Sequence, residues 1–81
     1  MLQDYLGTYR GNFRQGLKDG KGRYEYKSGM VYEGDYFSGH KEGKGTIYHS
    51  NGNIAYEGEM LNGVPNGKGS MYTRKHEKIE S

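Results

Sequence analysis

Tyr32-Glu33-Gly34-Asp35-Tyr36-Phe37-Ser38-Gly39-His40-Lys41-Glu42-Gly43-Lys44-Gly45-Thr46-Ile47-Tyr48 is the stretch whose reading decides the fold, because related copies lie on both sides of it. Counted from Tyr32, glycines fall at offsets 2, 7, 11, 13 and 20, and from Tyr9 the residues Gly11, Gly16, Gly20, Gly22 and Gly29 occupy the same offsets. A third copy from Tyr56 supplies Gly58, Gly63, Gly67 and Gly69, so 14 of the 15 glycines sit on one lattice. The leading tyrosines are spaced by 23 and then 24 residues, the extra one lying in Asn53-Ile54-Ala55. A fixed period of that size is the signature of a repeat architecture.

The chain has 81 residues, of which 31% are hydrophobic, too few for a conventional core. Glycine-rich sequence of low hydrophobicity often stays disordered. Here nine tyrosines and two phenylalanines keep register with the glycines, which argues for order. There is no cysteine, hence no disulfide framework. No stretch approaches the roughly 18 apolar residues of a membrane span, and no basic segment followed by an apolar run opens the chain. A soluble, intracellular protein is expected, cytoplasmic or membrane-peripheral. The formal charge is +2, with acids and bases interleaved rather than blocked, so no nucleic-acid partner is indicated.

Within each copy the first five residues alternate as Tyr-x-Gly-x-aromatic or Met: Tyr9 to Phe13, Tyr32 to Tyr36, Tyr56 to Met60. A period of two predicts a short strand, and each interior glycine would cost a helix about 1 kcal/mol. Offsets 11–15 predict a second strand, placing Tyr24, Ile47 or Met71 on the aromatic face and Lys21, Lys44 or Lys68 on the other. Glycines bound the segments 16–20, 39–43 and 63–67, which are therefore read as hairpin loops. Ser28-Gly29 and Asn51-Gly52 mark turns into the next copy. Strand glycines leave bare backbone that rings from neighbouring strands can cover, and acids opposite lysines make the other face a solvated one.

Tyr-x-Gly-x-aromatic followed by Gly-Lys-Gly at this period resembles the MORN repeat (membrane occupation and recognition nexus). Tyr32-Glu33-Gly34-Asp35-Tyr36 with Gly43-Lys44-Gly45 carries the resemblance most fully. The departures are Met60 at an aromatic position, Pro65 and the extra residue before Tyr56. The resemblance implies an all-β fold: an elongated single-layer antiparallel meander of three β-hairpin repeats, with an aromatic-lined groove along one face. Repeats then span 9–31, 32–55 and 56–76, between a partial N-terminal cap at 1–8 and a polar C-terminal tail at 77–81. It also implies a non-catalytic module that binds protein partners or phospholipid, or that dimerises.

No catalytic or metal constellation competes with this reading. The segment 39–44 lacks the spacing of a phosphate loop, whose Lys is followed by Ser or Thr. His40, His49 and His76 lack ligand spacing. Glu33, Asp35, Glu57 and Glu59 recur with the lattice, as a solvated face would, and no serine lies in a nucleophile turn. The chain is expected not to be an enzyme and to need no cofactor. Two candidate surfaces follow. Tyr9, Phe13, Tyr24, Tyr32, Tyr36 and Tyr56 form a stripe, part of which is expected to meet solvent or a protein or peptide partner, because a single-layer sheet cannot cover both its faces; the alternative reading is that these rings pack only on one another and on the glycines. Alternatively, Lys18, Lys21, Lys41, Lys44 and Lys68 gather near one loop edge and attract anionic phospholipid headgroups. Open sheet edges make a homo-oligomer a further expectation.

Overall fold

The computed structural model describes residues 2–3, 6–75 and 77–79, and expectations concerning Met1, Asp4, Tyr5, His76, Glu80 and Ser81 lie outside them. Eight strands follow one another in sequence and in space: β1 (Leu2–Gln3), β2 (Gly7–Arg14), β3 (Leu17–Tyr26), β4 (Val31–Phe37), β5 (His40–Tyr48), β6 (Ile54–Leu61), β7 (Val64–Tyr72) and β8 (Lys78–Ile79). Every neighbouring pair is antiparallel. The fold is the all-β, single-sheet meander that the alternation and glycine lattice predict, 39 × 25 × 16 Å in extent. β1 and β8 extend the pairing at the two ends, Leu2 lying opposite Tyr9 and Ile79 opposite Met71.

The register turns the sequence lattice into rows that cross the sheet. Gly11, Gly22, Gly34, Gly45, Gly58 and Gly69 are successive cross-strand partners over six strands. Beside them runs a row of Tyr9, Tyr24, Tyr32, Ile47, Tyr56 and Met71. Each leading tyrosine lays its ring across the glycine row. A Cβ added at Gly22, Gly45 or Gly69 would fall inside the ring of Tyr9, Tyr32 or Tyr56 respectively. The phenol then donates to a carbonyl three residues along its own strand: Tyr9 to Asn12, Tyr32 to Asp35 (both 2.8 Å) and Tyr56 to Glu59 (2.7 Å). A buried phenol needs such a partner. Tyr-x-Gly is thus a packing instruction, in which the glycine makes room for the ring and the strand supplies the acceptor.

The hairpin turns differ from the expected loops. Gln15-Gly16, Ser38-Gly39 and Asn62-Gly63 have positive φ at both positions (52° and 81°, 50° and 86°, 52° and 84°) and close hairpins whose flanking pairs are Arg14/Leu17, Phe37/His40 and Leu61/Val64. These are two-residue type I′ turns, whose twist suits right-handed strands. The segments 16–20, 39–43 and 63–67 are therefore mostly strand. Their second glycines, Gly20, Gly43 and Gly67 (φ 81°, 91° and 83°), sit where the register shifts. At each shift three residues of the second strand oppose one residue of the first: Asn12, Asp35 or Glu59. Glycine belongs there because the bulge requires positive φ. The extra residue of the third copy is taken up in the same way: Ile47 faces Tyr56 and Tyr48 faces Ile54, leaving Ala55 unpaired in the register.

Tyr9, Tyr24, Tyr32, Tyr36, Tyr56 and Met60 form the core, with Tyr26 and Ile47 packed against it. Tyr36 fills its place edge-on to Tyr9 and Tyr32, at centroid distances of 5.1 and 5.3 Å. Its hydroxyl is buried and finds no partner among the described residues. The equivalent positions in the other copies, Phe13 and Met60, carry no such group.

Two predictions follow from this core. Gly45→Ala drives a methyl into the Tyr32 ring and is expected to cost at least about 3 kcal/mol, whereas Gly63→Ala, with open space around it, costs only the about 1 to 2 kcal/mol of a left-handed backbone. Equal losses in urea unfolding would show that the ring does not lie over Gly45. Tyr32→Phe, which orphans the Asp35 carbonyl, is expected to destabilise by about 1 kcal/mol, while Tyr36→Phe stabilises by a similar amount by removing an unpaired buried hydroxyl. The two changes should move the melting temperature in opposite directions, and a loss for Tyr36→Phe would mean that its hydroxyl has a partner.

Candidate functional site

Five of the six residues expected to line a partner groove lie in the interior. Tyr9, Tyr24, Tyr32, Tyr36 and Tyr56 are 0–6% exposed, and only Phe13, at 43%, presents substantial surface. Phe13 is the part of the stripe that meets solvent, and the five tyrosines follow the alternative reading, packing on one another and on glycine. Because the rings lie flat over glycine rather than standing off the sheet, neighbours on the same face can close over them. Phe13 packs edge-on against Tyr9 at 5.1 Å. The Lys18 ammonium stands 5.5 and 5.6 Å from the centroids of Tyr9 and Tyr24, and that of Lys41 stands 4.8 and 5.2 Å from Tyr26 and Tyr32. The Lys41 ammonium also donates to the Tyr26 hydroxyl. Cation–π attraction holds these lysines over the rings, where their alkyl stems add cover.

The lysines expected to gather near one edge are instead divided. Lys18 and Lys41 belong to the aromatic face, through the contacts just described. Lys21, Lys44 and Lys68 follow the alternation onto the opposite face, interleaved with Asp35 and Glu59, since Lys21 pairs across the sheet with Asp35 and Lys44 with Glu59. The Lys21 ammonium lies 2.5 Å from the Asp35 carboxylate, and Arg23 reaches Glu33 at 3.3 Å and Glu25 at 3.1 Å. The hydrogen bond from Lys21 holds the Asp35 carboxyl below its ordinary value, helped by the backbone N–H of Lys44, which donates to it at 3.2 Å. Glu59 receives the Lys68 N–H in the same manner at 3.4 Å. Asp35 and Glu59 thus satisfy donors at the bulges as well as balancing charge. A shallow trough floored by Gly34, Gly45, Gly58 and Gly69 runs along this face between rows of mixed charge. No His, Asp or Glu cluster suited to a metal ion occurs among the described residues.

Exposed apolar side chains occur at Leu6, Phe13, Met71 and Ile79 and as a group beside the hairpin turns, where the sequence reading had placed Leu17 and Val64 in loops. Leu17, Phe37, Leu61 and Val64, each 41–58% exposed, flank the three hairpin turns. Alternation from the buried tyrosines puts them on the face opposite the core. Successive turns are tied together, Gly39 donating to the Lys18 carbonyl at 2.9 Å and Gly63 to that of Lys41 at 3.1 Å. The three tips consequently form one continuous edge, with Arg14 and His40 beside the apolar side chains. The signal for it was Asn62-Gly63, a two-residue hairpin turn by composition. Once a two-residue turn is recognised there, the flanking Leu61 and Val64 become a cross-strand pair.

Burial sets the acid–base behaviour of the core. It pushes the Tyr32 phenol up to about 12 from an ordinary value of 10, with the Asp35 charge adding to the effect, and it raises Tyr36 further still. A phenol whose folded-state pKa is raised contributes stability that is complete below its unfolded value and is lost as pH rises through the folded one. The sheet is expected to keep its full stability up to about pH 10 and to lose it between there and about pH 12, as buried tyrosines are forced to ionise. Strand circular dichroism and tyrosinate absorbance should therefore change together. Complete tyrosine ionisation with the sheet intact would contradict the burial.

The all-strand architecture of the described residues and its row geometry agree with comparison against known families. The sequence profile of the MORN repeat matches residues 9–31, 32–54 and 56–76, one match to each structural hairpin repeat. A search of curated proteins finds no match to the chain. MORN repeats are non-catalytic modules of protein or membrane interaction, and no helix among the described residues is long and apolar enough to cross a membrane. With three consecutive matches covering most of its length, the chain belongs to the MORN-repeat family.

Proposed function

We propose that this chain is an interaction module that holds a protein partner along its hairpin-tip edge rather than in an aromatic groove. The observation that carries this reading is the distribution of apolar surface. The tyrosines of the stripe are buried in the core, whereas Leu17, Phe37, Leu61 and Val64 are exposed along one edge. Apolar side chains held in a continuous row by a rigid sheet lose little entropy on binding and bury area in a partner. Phe13 extends the contact surface onto the aromatic face, and Arg14 and His40 supply polar contacts at its rim. Headgroup binding by Lys18, Lys21, Lys41, Lys44 and Lys68 has less support, because the five are split between two faces and Lys21 is already paired with Asp35.

The test is the double variant Phe37→Ser, Leu61→Ser. Both side chains are exposed, so folding is expected to survive, as circular dichroism would show. Partner capture from lysate and flotation with anionic vesicles would then be compared with the wild type. The variant is expected to bind the captured partner at least about tenfold more weakly. Undiminished capture would remove the tip edge as the contact surface, and vesicle binding that depends on Phe37 and Leu61 would move the function to the membrane.

A further inference from the structure

Alternation puts one residue from each of six strands into a single row along the hairpin-tip edge: Arg14 of β2, Leu17 of β3, Phe37 of β4, His40 of β5, Leu61 of β6 and Val64 of β7. Arg14/Leu17, Phe37/His40 and Leu61/Val64 are cross-strand pairs, and the hairpins follow one another in the strand order. All six residues are exposed. The row therefore reads base, two apolar residues, histidine, two apolar residues, at right angles to the strands. Leu17 bridges the first gap between hairpins, since a Cβ added at Gly39 would lie 3.6 Å from its Cδ2 atom.

We propose that the partner held on this edge is an amphipathic α-helix with acidic flanks, lying along the row; the proposal rests on the hairpin-tip reading above and adds the kind of partner. Two features select a helix over an extended segment. Strand addition needs a run of unpaired main-chain groups, and here the turn N–H groups facing the neighbouring hairpin are already engaged. Gly39 donates to the Lys18 carbonyl at 2.9 Å and Gly63 to that of Lys41 at 3.1 Å. A segment docking here has to satisfy its own main chain, as a helix does. The second feature is spacing. Hairpins recur every two strands, about 9.6 Å, and a helix returns to the same face after seven residues, about 10.5 Å. Apolar side chains at i, i+7 and i+14 then meet the three hairpins in turn. An extended chain repeats its face after about 6.8 Å, roughly 3 Å short of the next hairpin.

Charge sets the flanks of the helix. Arg14 is exposed and has no carboxylate partner among the described residues. The acids nearest to it and to His40 in sequence, Asp19 and Glu42, are half-buried, and Asp19 accepts the Ser38 N–H at 3.4 Å. An acid on the helix therefore finds a partner at the β2 end, while the Leu61/Val64 end takes apolar side chains. A second copy docked tip to tip about a two-fold axis matches less well, because it sets Arg14 against Val64 and brings no acid to either arginine. A membrane gains little attraction from one arginine on the row with Asp19 and Glu42 behind it.

The test is an NMR titration of the intact chain with a stapled helix of about 18 residues, enough to span six strands, with leucine at heptad a and d positions and glutamate on the flanks. The controls are the same composition in scrambled order, an extended peptide of alternating leucine and glutamate, and the helix with lysine in place of glutamate. Saturable shifts at the amides of Leu17, Phe37, His40, Leu61 and Val64 are expected from the acidic helix. The scrambled and extended peptides should bind at least about tenfold more weakly. Arg14→Glu, an exposed change, should weaken the acidic helix about fivefold and favour the lysine one. Equal binding of the extended peptide, or indifference to Arg14→Glu, would overturn the proposal. Loss of partner capture in the Phe37→Ser, Leu61→Ser variant without any binding of the helix would overturn it too, yet keep the edge as the contact surface. Tip shifts produced by vesicles of phosphatidylcholine and phosphatidylserine, and not by the helix, would put a membrane there instead. Undiminished capture by that variant would remove the edge itself, and the helix with it.

Discussion

The contact between a tyrosine ring and a pair of glycines is the constraint on which this structure depends. A sheet of one layer has no second layer to bury its apolar face against, and 31% hydrophobic sequence supplies no material for one. The chain instead folds each leading ring down onto its own sheet. That requires the side chains beneath it to be absent, hence the uninterrupted glycine row from Gly11 to Gly69. It also requires an acceptor for the phenol, which the carbonyls of Asn12, Asp35 and Glu59 provide. These carbonyls belong to the residues that face the bulges. The tyrosine, the glycine beneath it and the bulge glycine therefore form one unit, and the repeat period is the length of chain needed to make that unit and return.

This arrangement decides which surfaces are left for function. Because the rings are inside, the module has little aromatic area to offer, and Lys18 and Lys41 serve as cover over rings already packed. The opposite face carries acids and bases in alternation, with Lys21 paired to Asp35 and Arg23 to Glu33, and with Asp35 and Glu59 accepting N–H groups of the bulges. What remains exposed as a row of apolar side chains along one edge is the set at the hairpin tips. This row is a by-product of translation along the sheet: the tips align because each hairpin is the same length.

Most of the fold was legible in the sequence, because glycine and tyrosine at fixed spacing report strand alternation and register directly. The family resemblance rested on the same residues and is confirmed by the matches to all three repeats. The hairpin turns were misread for a local reason. Two glycines four residues apart look like the ends of a loop, whereas Gly16 closes a two-residue turn and Gly20 opens a bulge, both using positive φ for different ends. That error moved Leu17 and Val64 from strand to loop and concealed the exposed row. The burial of the stripe could not be read from spacing either. Whether a ring stands off a sheet or lies along it depends on the neighbouring strand's glycine, on the acceptor carbonyl and on Lys18 and Lys41 folding over it, none of which a period reveals. The lysines, uniform on the lattice, were separated by alternation at offsets 9 and 12, which place them on opposite faces.

The measurement that bears most directly on this account is the set of through-space NMR contacts between the ring protons of Tyr9, Tyr32 and Tyr56 and the Hα protons of Gly22, Gly45 and Gly69. The account predicts strong contacts for all three pairs, with the glycine Hα resonances displaced by ring currents. Glycine Hα resonances at unstructured positions, without contacts to the rings, would place the tyrosines outside the sheet's interior and remove the basis of the core described here.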